Sequence, residues 1–277
     1  MDIVNTLLIH PIINILVACY QVFLYFHLPY ALGLSIIAMT VIIRFILAPF
    51  TAQQLTMSKK MQELAPGLAK IKEKYKGDMK KQQEATMALY KEKGVNPAAG
   101  CLPGIVQIVI LVFGLYPALQ QILALHADKT VETINKMMYF PFLHLTQVWD
   151  TTFLGVSLEK TPDKLFAVVG PIILIIPLLT GVLQFIQSKM MAPTQANAVK
   201  KPAAKNAQED FAATFQKQAM YLLPVMIAFF SYTFSVGLSL YWNTYTIFGI
   251  IQQYRLQGLG GLEDLINQIK GNTLWKK

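Results

Sequence analysis

Several apolar runs, each close to the length of a membrane-spanning helix, constrain this chain more than any other feature. Hydrophobic residues make up 54% of the 277 residues, and charged residues only 14%. A soluble domain usually has about a quarter of its residues charged. A spanning α-helix needs roughly 20 mainly apolar residues, and the longest runs in this sequence reach that length. We therefore predict an all-α membrane protein.

Five transmembrane helices account for these runs. The longest run, 219–251, would be about 50 Å long as a single helix, which exceeds the hydrocarbon core of about 30 Å. A tight hairpin of two short helices, with its turn near Gly237, resolves this conflict. The predicted spans are 29–51, 101–125, 165–187, 218–236 and 238–254.

The distribution of lysines supports this count and predicts the orientation. The first 43 residues contain no Lys or Arg, residues 51–100 contain ten Lys, and residues 126–164 contain four Lys and five acids. Residues 188–217 contain five Lys, and four basic residues follow 252. Because basic loops face the cytoplasm, we expect the N-terminus outside and the C-terminus inside. The formal net charge of +9 then belongs to cytoplasmic loops rather than to a nucleic-acid site.

The remaining segments connect or flank the spans. Residues 1–28 predict an amphipathic helix on the outer interface, 126–164 an outer loop, 188–217 a flexible cytoplasmic linker and 255–277 a cytoplasmic tail. Residues 52–98 predict a cytoplasmic helical hairpin, interrupted at Gly77 and stopped at Gly94. Its apolar seam has helical spacing, at Leu64, Leu68, Ile71 and Tyr75 and again at Met79, Gln83, Met87 and Tyr90. This hairpin is either a docking surface or a charged connection between spans.

Arg44 is a charge inside the first predicted span. It lies 14 residues after Tyr30, about 21 Å along the helix, and a charge deep in a helix costs roughly 2.5–3.5 kcal/mol. None of the five spans contains Asp or Glu, whereas other spans contain neutral polar residues, at Gln107, Asn243 and Thr246. Arg44 either reaches lipid phosphates or lies in a hydrated concavity open to the cytoplasm. Gln107 taken singly also fits an interhelical hydrogen bond.

The sequence offers little for covalent chemistry. Cys19 and Cys101 are too few for a disulfide framework, and nothing near them has metal-ligand spacing. Residues 16–19 resemble a lipoprotein cleavage box without its basic leader, so lipidation of Cys19 stays open. We find no nucleotide-binding loop and no catalytic Ser/His or Cys/His arrangement, and we predict no enzymatic activity, no metal and no cofactor.

A series of motifs resembles the YidC/Oxa/Alb family of membrane protein insertases, in its short, bacterial five-span form. They occur in family order over nearly the whole chain: Thr-Val-Ile-Ile-Arg-Phe-Ile-Leu-Ala-Pro-Phe at 40–50, Lys-Lys-Met-Gln-Glu-Leu-Ala-Pro at 59–66, Leu-Tyr-Lys-Glu-Lys-Gly-Val-Asn-Pro at 89–97, Gly-Cys-Leu-Pro at 100–103, Gly-Leu-Ser-Leu-Tyr-Trp at 237–242 and Ile-Ile-Gln-Gln at 250–253.

The resemblance implies a function, a site and partners. A multi-pass protein of the bacterial plasma membrane would move short hydrophilic segments of substrate proteins across the bilayer, and their apolar helices into it. The site would be a hydrophilic groove that contains Arg44 and Thr40, with Tyr241 and Trp242 near the substrate path. Partners would be nascent membrane proteins, lipid, and the ribosome, the signal recognition particle receptor and the Sec translocon, without direct nucleic-acid readout.

Two features depart from the family pattern, and two other function classes stay open. Thr246 stands where many members have Asn, and Asn243 lies one turn earlier. The tail has only four basic residues, so the resemblance does not extend to a long ribosome-docking tail. A transporter or anion channel would use Arg44 as a ligand site and predicts solute flux, whereas an assembly scaffold would need no groove.

Overall fold

The structure is a computed structural model that describes residues 2–96, 109–123, 127–192 and 207–274. The described chain is almost entirely helical, and its strands are limited to one short hairpin. The chain divides into two compact units, one of 1–47, 106–183 and 224–248 and the other of 48–105, 184–223 and 249–277. The predicted all-α membrane class is confirmed.

Apart from the three-residue α-helix Asp2–Val4, eleven α-helices follow one another in the described ranges. They are α1 (His10–Tyr25, preceded by Asp2–Val4 and a π-helical turn Asn5–Ile9), α2 (Ala31–Glu63), α3 (Ala65–Lys74), α4 (Met79–Glu92), α5 (Tyr116–Leu123, preceded by a π-helical segment Ile110–Leu115), α6 (Ala127–Asn135), α7 (Pro162–Val169), α8 (Ile175–Met191, preceded by a 3-10 turn Pro171–Leu174), α9 (Ala207–Thr233), α10 (Val236–Gln257) and α11 (Gly261–Leu274).

Three stretches of the described chain are long and apolar enough to cross a membrane, namely Asn5–Tyr25, Ala31–Glu63 and Pro171–Met191. Val112–Leu123 and Met220–Thr233 are shorter apolar helices. The count of five spans therefore stays a prediction. The stretch Asn5–Tyr25 has the length of a span, although residues 1–28 are predicted to lie on the outer interface.

The first unit has a continuous apolar core. Side chains from α1, the first half of α2, α5, the segment 134–165 and the start of α10 fill it. Ile13, Leu32, Ile36 and Met39 are completely buried within it. This core holds the part of α2 that carries Arg44 and the part of α10 that follows Gly237.

The run 219–251 is a pair of helices, as its length requires, with the break at Phe234 and Ser235. Gly237 lies inside the first turn of α10 rather than in the loop. Its N–H donates to Leu158 O at 2.9 Å, and a Cβ there would lie 3.2 Å from that oxygen and 2.7 Å from Leu123 Cδ1. Neither helix is short over its full length, since α9 has 27 residues and α10 has 22.

The other predicted spans differ in their boundaries. The helix predicted at 29–51 continues without interruption to Glu63, with Pro49 inside it. The span predicted at 165–187 is broken at Gly170, which has φ +79° and precedes a proline. L-residues disfavour that backbone conformation, and Pro171 has no N–H to continue the helix. For the span predicted at 101–125, residues 101–108 lie outside the described part of the chain.

The segments between the spans contain more regular structure than the sequence predicts. The loop 126–164 contains α6, a 3-10 turn Pro141–Leu143, and strands β1 (Thr152–Phe153) and β2 (Val156–Ser157), which pair antiparallel. The linker predicted at 188–217 is helical to Met191 and again from Ala207, while 193–206 lie outside the description. The predicted tail contains α11, whose N-terminal Gly261 N–H donates to Ala192 O at 3.0 Å.

The helical hairpin of the second unit is present as α3 and α4. Asp78 caps α4 by accepting from Lys81 N–H at 3.1 Å, and Gly77 and Gly94 have positive φ. In α3 the predicted seam is half-buried and the lysines at 70, 72, 74 and 76 are exposed.

The seam predicted for α4 is wrong at Met79, Gln83 and Met87, which are exposed, whereas Tyr90 is half-buried as predicted. Met79 and Met87 are 61% and 50% exposed, whereas Gln82 and Leu89 turn inward. The Gln82 amide donates to Tyr75 O at 3.3 Å. That bond orients a polar residue toward α3, and the methionines on either side of it face outward.

Candidate functional site

Arg44 lies on α2 inside the first unit and is only 3% exposed. Its Nε and one terminal nitrogen donate to the same acceptor, Tyr245 O on α10, at 3.2 Å and 2.7 Å. A carbonyl oxygen has two lone pairs, so this oxygen can accept from Arg44 as well as from its own helix. The two bonds connect α2 and α10 at the buried cation.

Aromatic rings complete the contacts of the guanidinium. Its central carbon lies 3.5 Å from the centroid of the Tyr245 ring and 5.7 Å from that of Phe248. Phe248 also packs edge-to-face against Phe45, at 5.0 Å between centroids. Such contacts are worth about 2 kcal/mol or more where the cation is desolvated. The face of Tyr245 therefore offsets part of the cost of burying the charge.

Tyr245 is not among the residues predicted from the sequence for this site. A signal for it exists in the sequence, because Tyr245 follows Tyr241 at a spacing of four residues and so lies on the same helical face. The two rings are 5.7 Å apart. An aromatic pair at this spacing, in a helix expected near a buried cation, predicts a cation–π partner.

Among the described residues, Arg44 has no carboxylate partner. A guanidinium has five N–H donors, and the two bonds to Tyr245 O use two of them. Within the described part of the chain, the other three have no hydrogen-bond acceptor. Arginine stays protonated in proteins. The site therefore holds a full positive charge with donors available for an anionic group.

The predicted threonines do not bond to Arg44. Thr40 Oγ1 donates to Ile36 O at 2.6 Å and Thr246 Oγ1 to Trp242 O at 2.8 Å, each within its own helix. Both side chains are 1% exposed. Local bonds of this kind are the usual way for a buried hydroxyl in an apolar helix to satisfy its hydrogen.

The other predicted site residues occupy α10 and differ in exposure. Tyr241 is buried in the core, Asn243 is 8% exposed, and Trp242 is half-buried. Asn243 Oδ1 is buried without a hydrogen-bond partner within the described structure, which is costly for an amide oxygen. Gln107 lies outside the described residues.

Trp242 lines a cavity of about 280 Å³ in the first unit. The walls are mainly apolar, and Thr180, Ser231 and Ser239 contribute aliphatic hydroxyl groups to them. Thr180 Oγ1 lies 3.0 Å from Ser231 Oγ, which lies 2.9 Å from Ser239 Oγ. The lining residues are Val112, Tyr116, Thr180, Ile227, Phe230, Ser231, Phe234, Leu238, Ser239 and Trp242.

Comparison with known proteins decides the family. The family model described as "60Kd inner membrane protein" matches residues 15–259, which is most of the chain. This chain belongs to the YidC/Oxa/Alb family. The matched region includes Arg44, the α3–α4 hairpin and the whole of α10, and it ends just before α11.

Individual members of the family agree with this assignment. The membrane protein insertase YidC of Fusobacterium nucleatum is 33% identical over 228 residues, which cover 82% of this chain and 87% of that protein. The insertase MisCA of Bacillus subtilis is 34% identical over 82% of this chain and 70% of its own length. The chloroplastic inner membrane protein PPF-1 of Pisum sativum is 31% identical over 90% of this chain, which spans 53% of that longer protein.

Proposed function

We propose that this chain is a membrane protein insertase, which moves short hydrophilic segments of substrate proteins across the bilayer and releases their apolar helices into it. One observation carries the site of this proposal. Arg44 is a buried cation that has no carboxylate partner among the described residues, and it keeps three unused N–H donors. No covalent step or cofactor is needed, because burial of the substrate's apolar helix supplies the driving force.

Arg44 acts in this proposal by attracting an acidic substrate segment. Two opposite charges 4 Å apart interact by about 4 kcal/mol at an effective dielectric constant of 20, enough to offset much of the cost of taking a carboxylate out of bulk water. Because Arg44 is 3% exposed, the carboxylate reaches it only after α2 and α10 separate locally. Water that enters with the segment makes a hydrated groove, in which Thr40, Gln107, Asn243 and Thr246 supply polar groups.

The unpaired oxygen of Asn243 supports such a groove. Asn243 Oδ1 is buried without a partner among the described residues, and a buried polar atom of this kind costs about 1–3 kcal/mol. A substrate backbone N–H or an entering water would remove that cost. A substrate segment or water in the groove therefore stabilises its open state, and the groove closes again when the segment leaves.

The apolar part of the substrate leaves by a different route. The cavity beside Trp242 has mainly apolar walls, contributed by α8, α9, α10 and the segment 112–116. A whole helix is about 10 Å across, so about 280 Å³ accommodates side chains of a substrate helix rather than the helix itself. We propose that the substrate helix passes along this face and is released into lipid. The apolar part of α9, Met220–Thr233, is about 21 Å long, which favours local thinning of the bilayer.

The placement in the cell and the partners complete the proposal. In the bacterial plasma membrane, the N-terminus faces outside and the C-terminus the cytoplasm, following the lysine distribution. The α3–α4 hairpin then projects into the cytoplasm. Its exposed lysines and the exposed Met79 and Met87 suit transient contact with nascent chains, the ribosome, the signal recognition particle receptor or the Sec translocon, since methionine adapts to varied apolar partners.

Site-specific photocrosslinking tests this function directly. A photoreactive residue replaces Trp242 and, in a separate protein, exposed Met87 on the hairpin. Each is presented with a ribosome-bound nascent membrane protein that has an acidic N-terminal segment. We expect crosslinks at 242 that vanish when the nascent chain lacks its apolar helix. A crosslink at 87 without one at 242 would contradict the proposed path and favour a scaffold.

A further inference from the structure

A turn in the segment between α6 and β1 presents aromatic side chains to the surroundings. Tyr139, Phe140 and Phe142 are 50%, 54% and 74% exposed. The rings of Phe140 and Phe142 are stacked, with centroids 5.3 Å apart. Two phenylalanines this exposed and this close together form an apolar patch that water solvates poorly.

The turn is held in place by α1, so its exposure does not come from a loose loop. Asn14 Nδ2 donates to Met137 O at 2.8 Å, and Tyr139 N–H donates to Asn14 Oδ1 at 2.8 Å. Gln21 donates to His144 O at 3.3 Å. Leu143, at the end of the 3-10 turn, is buried in the core. The aromatic side chains are therefore directed outward by a well-bonded backbone.

The composition of the segment that carries these aromatic residues indicates the kind of partner that the patch contacts. Residues 137–149 contain no Lys, Arg, Asp or Glu, which disfavours a protein partner recognised by charge. The helix α1 that holds the turn also exposes apolar residues, among them Val22 and Tyr25 at 52% and 79%. In a membrane protein, Trp and Tyr concentrate at the level of the headgroups, and Phe is typical of the apolar face of segments that lie in the interface. The patch thus matches a lipid surface.

The hydrogen bonds of Asn14 also indicate how deep α1 and the turn bonded to it lie in the membrane. Asn14 lies near the middle of the stretch Asn5–Tyr25. A spanning α1 would therefore place Asn14, with the backbone of Met137 and Tyr139 bonded to it, near the centre of the bilayer. Irregular backbone at that depth is tolerated only where protein or a water-filled cavity surrounds it, and here Phe140 and Phe142 are exposed instead. An interfacial α1 avoids this conflict.

We propose that Phe140 and Phe142 insert into the headgroup–acyl boundary of the bilayer and, together with α1, anchor this side of the protein to the membrane surface. The inference rests on the proposed placement of α1 at the outer surface. It assigns a lipid-binding role to a turn that the insertase site does not use.

Depth measurement by spin labelling tests the anchor. The full-length protein, with Cys19 and Cys101 replaced by alanine, receives one label through Phe142→Cys, Val22→Cys or Lys136→Cys and is reconstituted in liposomes. Lys136 is the matched control, because it lies just before the turn, in an exposed ion pair with Glu132. We expect the ratio of accessibility to oxygen over accessibility to a water-soluble nickel complex to be severalfold higher at 142 and 22 than at 136.

Two results would overturn the inference. A label at 142 as accessible to nickel as the label at 136 would place the turn in water, even if the label at 22 proved to be in lipid. A label at 142 shielded from both reagents would indicate contact with protein. Insertion of a substrate by the same proteoliposomes reports the insertase function separately, so failure of the anchor and failure of the insertase are distinguishable.

Discussion

Replacing Arg44 by glutamine removes the charge of the site while keeping a side chain able to donate to Tyr245 O. We expect Arg44→Gln to slow the insertion of substrates with an acidic N-terminal segment and to leave substrates with a neutral segment unaffected. The physical reason is that only an acidic segment can pair with the positive charge of Arg44, which has no carboxylate partner among the described residues. Arg44→Lys keeps the charge, and we expect it to retain part of the rate.

The magnitudes separate an effect on function from one on stability. The substitution loses a charged hydrogen bond, about 1.5–3 kcal/mol, and a cation–π contact of about 2 kcal/mol. It also removes the cost of a charge in a membrane helix, roughly 2.5–3.5 kcal/mol. These terms largely cancel, so the free energy of unfolding changes by only about 1 kcal/mol. Loss of a charged bond to the substrate, about 1.5–3 kcal/mol, slows insertion about ten- to a hundredfold.

The assay uses purified protein in liposomes and a pair of substrates that differ only in their N-terminal segment, acidic in one and neutral in the other. Protection of that segment from external protease measures its translocation. Arg255, the only other arginine of the sequence, is exposed near the end of α10. Arg255→Gln therefore changes the net charge equally without touching the site, and it is the matched control.

Two results would refute the reasoning. Equal rates for Arg44→Gln and the unmodified protein on the acidic substrate would show that the charge is not used. Equal slowing of the acidic and neutral substrates, with an unfolding temperature well below that of Arg255→Gln, would show that Arg44 serves the packing of α2 and α10 alone.

Three further predictions concern the packing of the first unit. Gly237→Ala places a Cβ 3.2 Å from Leu158 O, and we expect a loss of about 1–3 kcal/mol, read as a lower unfolding temperature in detergent. Asn14→Leu removes the partners of Met137 O and of the Tyr139 N–H. Each lost hydrogen bond costs about 0.5–1.5 kcal/mol, so we expect faster proteolysis within 137–150, and unchanged cleavage would contradict the role of these bonds. Ser231→Ala removes the central hydroxyl of the three that are hydrogen-bonded in the cavity wall. We expect the free energy of unfolding to fall by only about 0.6–2 kcal/mol. A larger fall would mean that these hydrogen bonds support more than local packing.

Elements that depend on local chemistry could be predicted from the sequence. The break between α9 and α10 follows from an apolar run that is too long for one span. The hairpin turn at Gly77 and the end of α4 before Gly94 follow from backbone conformations that favour glycine. The interruption at Gly170 also has a signal in the sequence, a glycine before a proline, but the prediction treated that segment as one helix. The seam of α4 was misplaced because the Gln82 amide donates to Lys72 O of α3 at 3.3 Å, and that bond depends on how two helices meet.

The sequence by itself determined the helical membrane class, the approximate positions of the apolar helices and the presence of a charge inside one of them, since each depends on residue types along a short stretch. Only the tertiary structure decided what that charge contacts. Tyr245 is 201 residues from Arg44 along the chain, and its carbonyl and ring reach the guanidinium because α2 and α10 pack side by side. The same holds for Asn14 and Met137, 123 residues apart. Such pairs have no local signal, because the packing of distant segments brings them together.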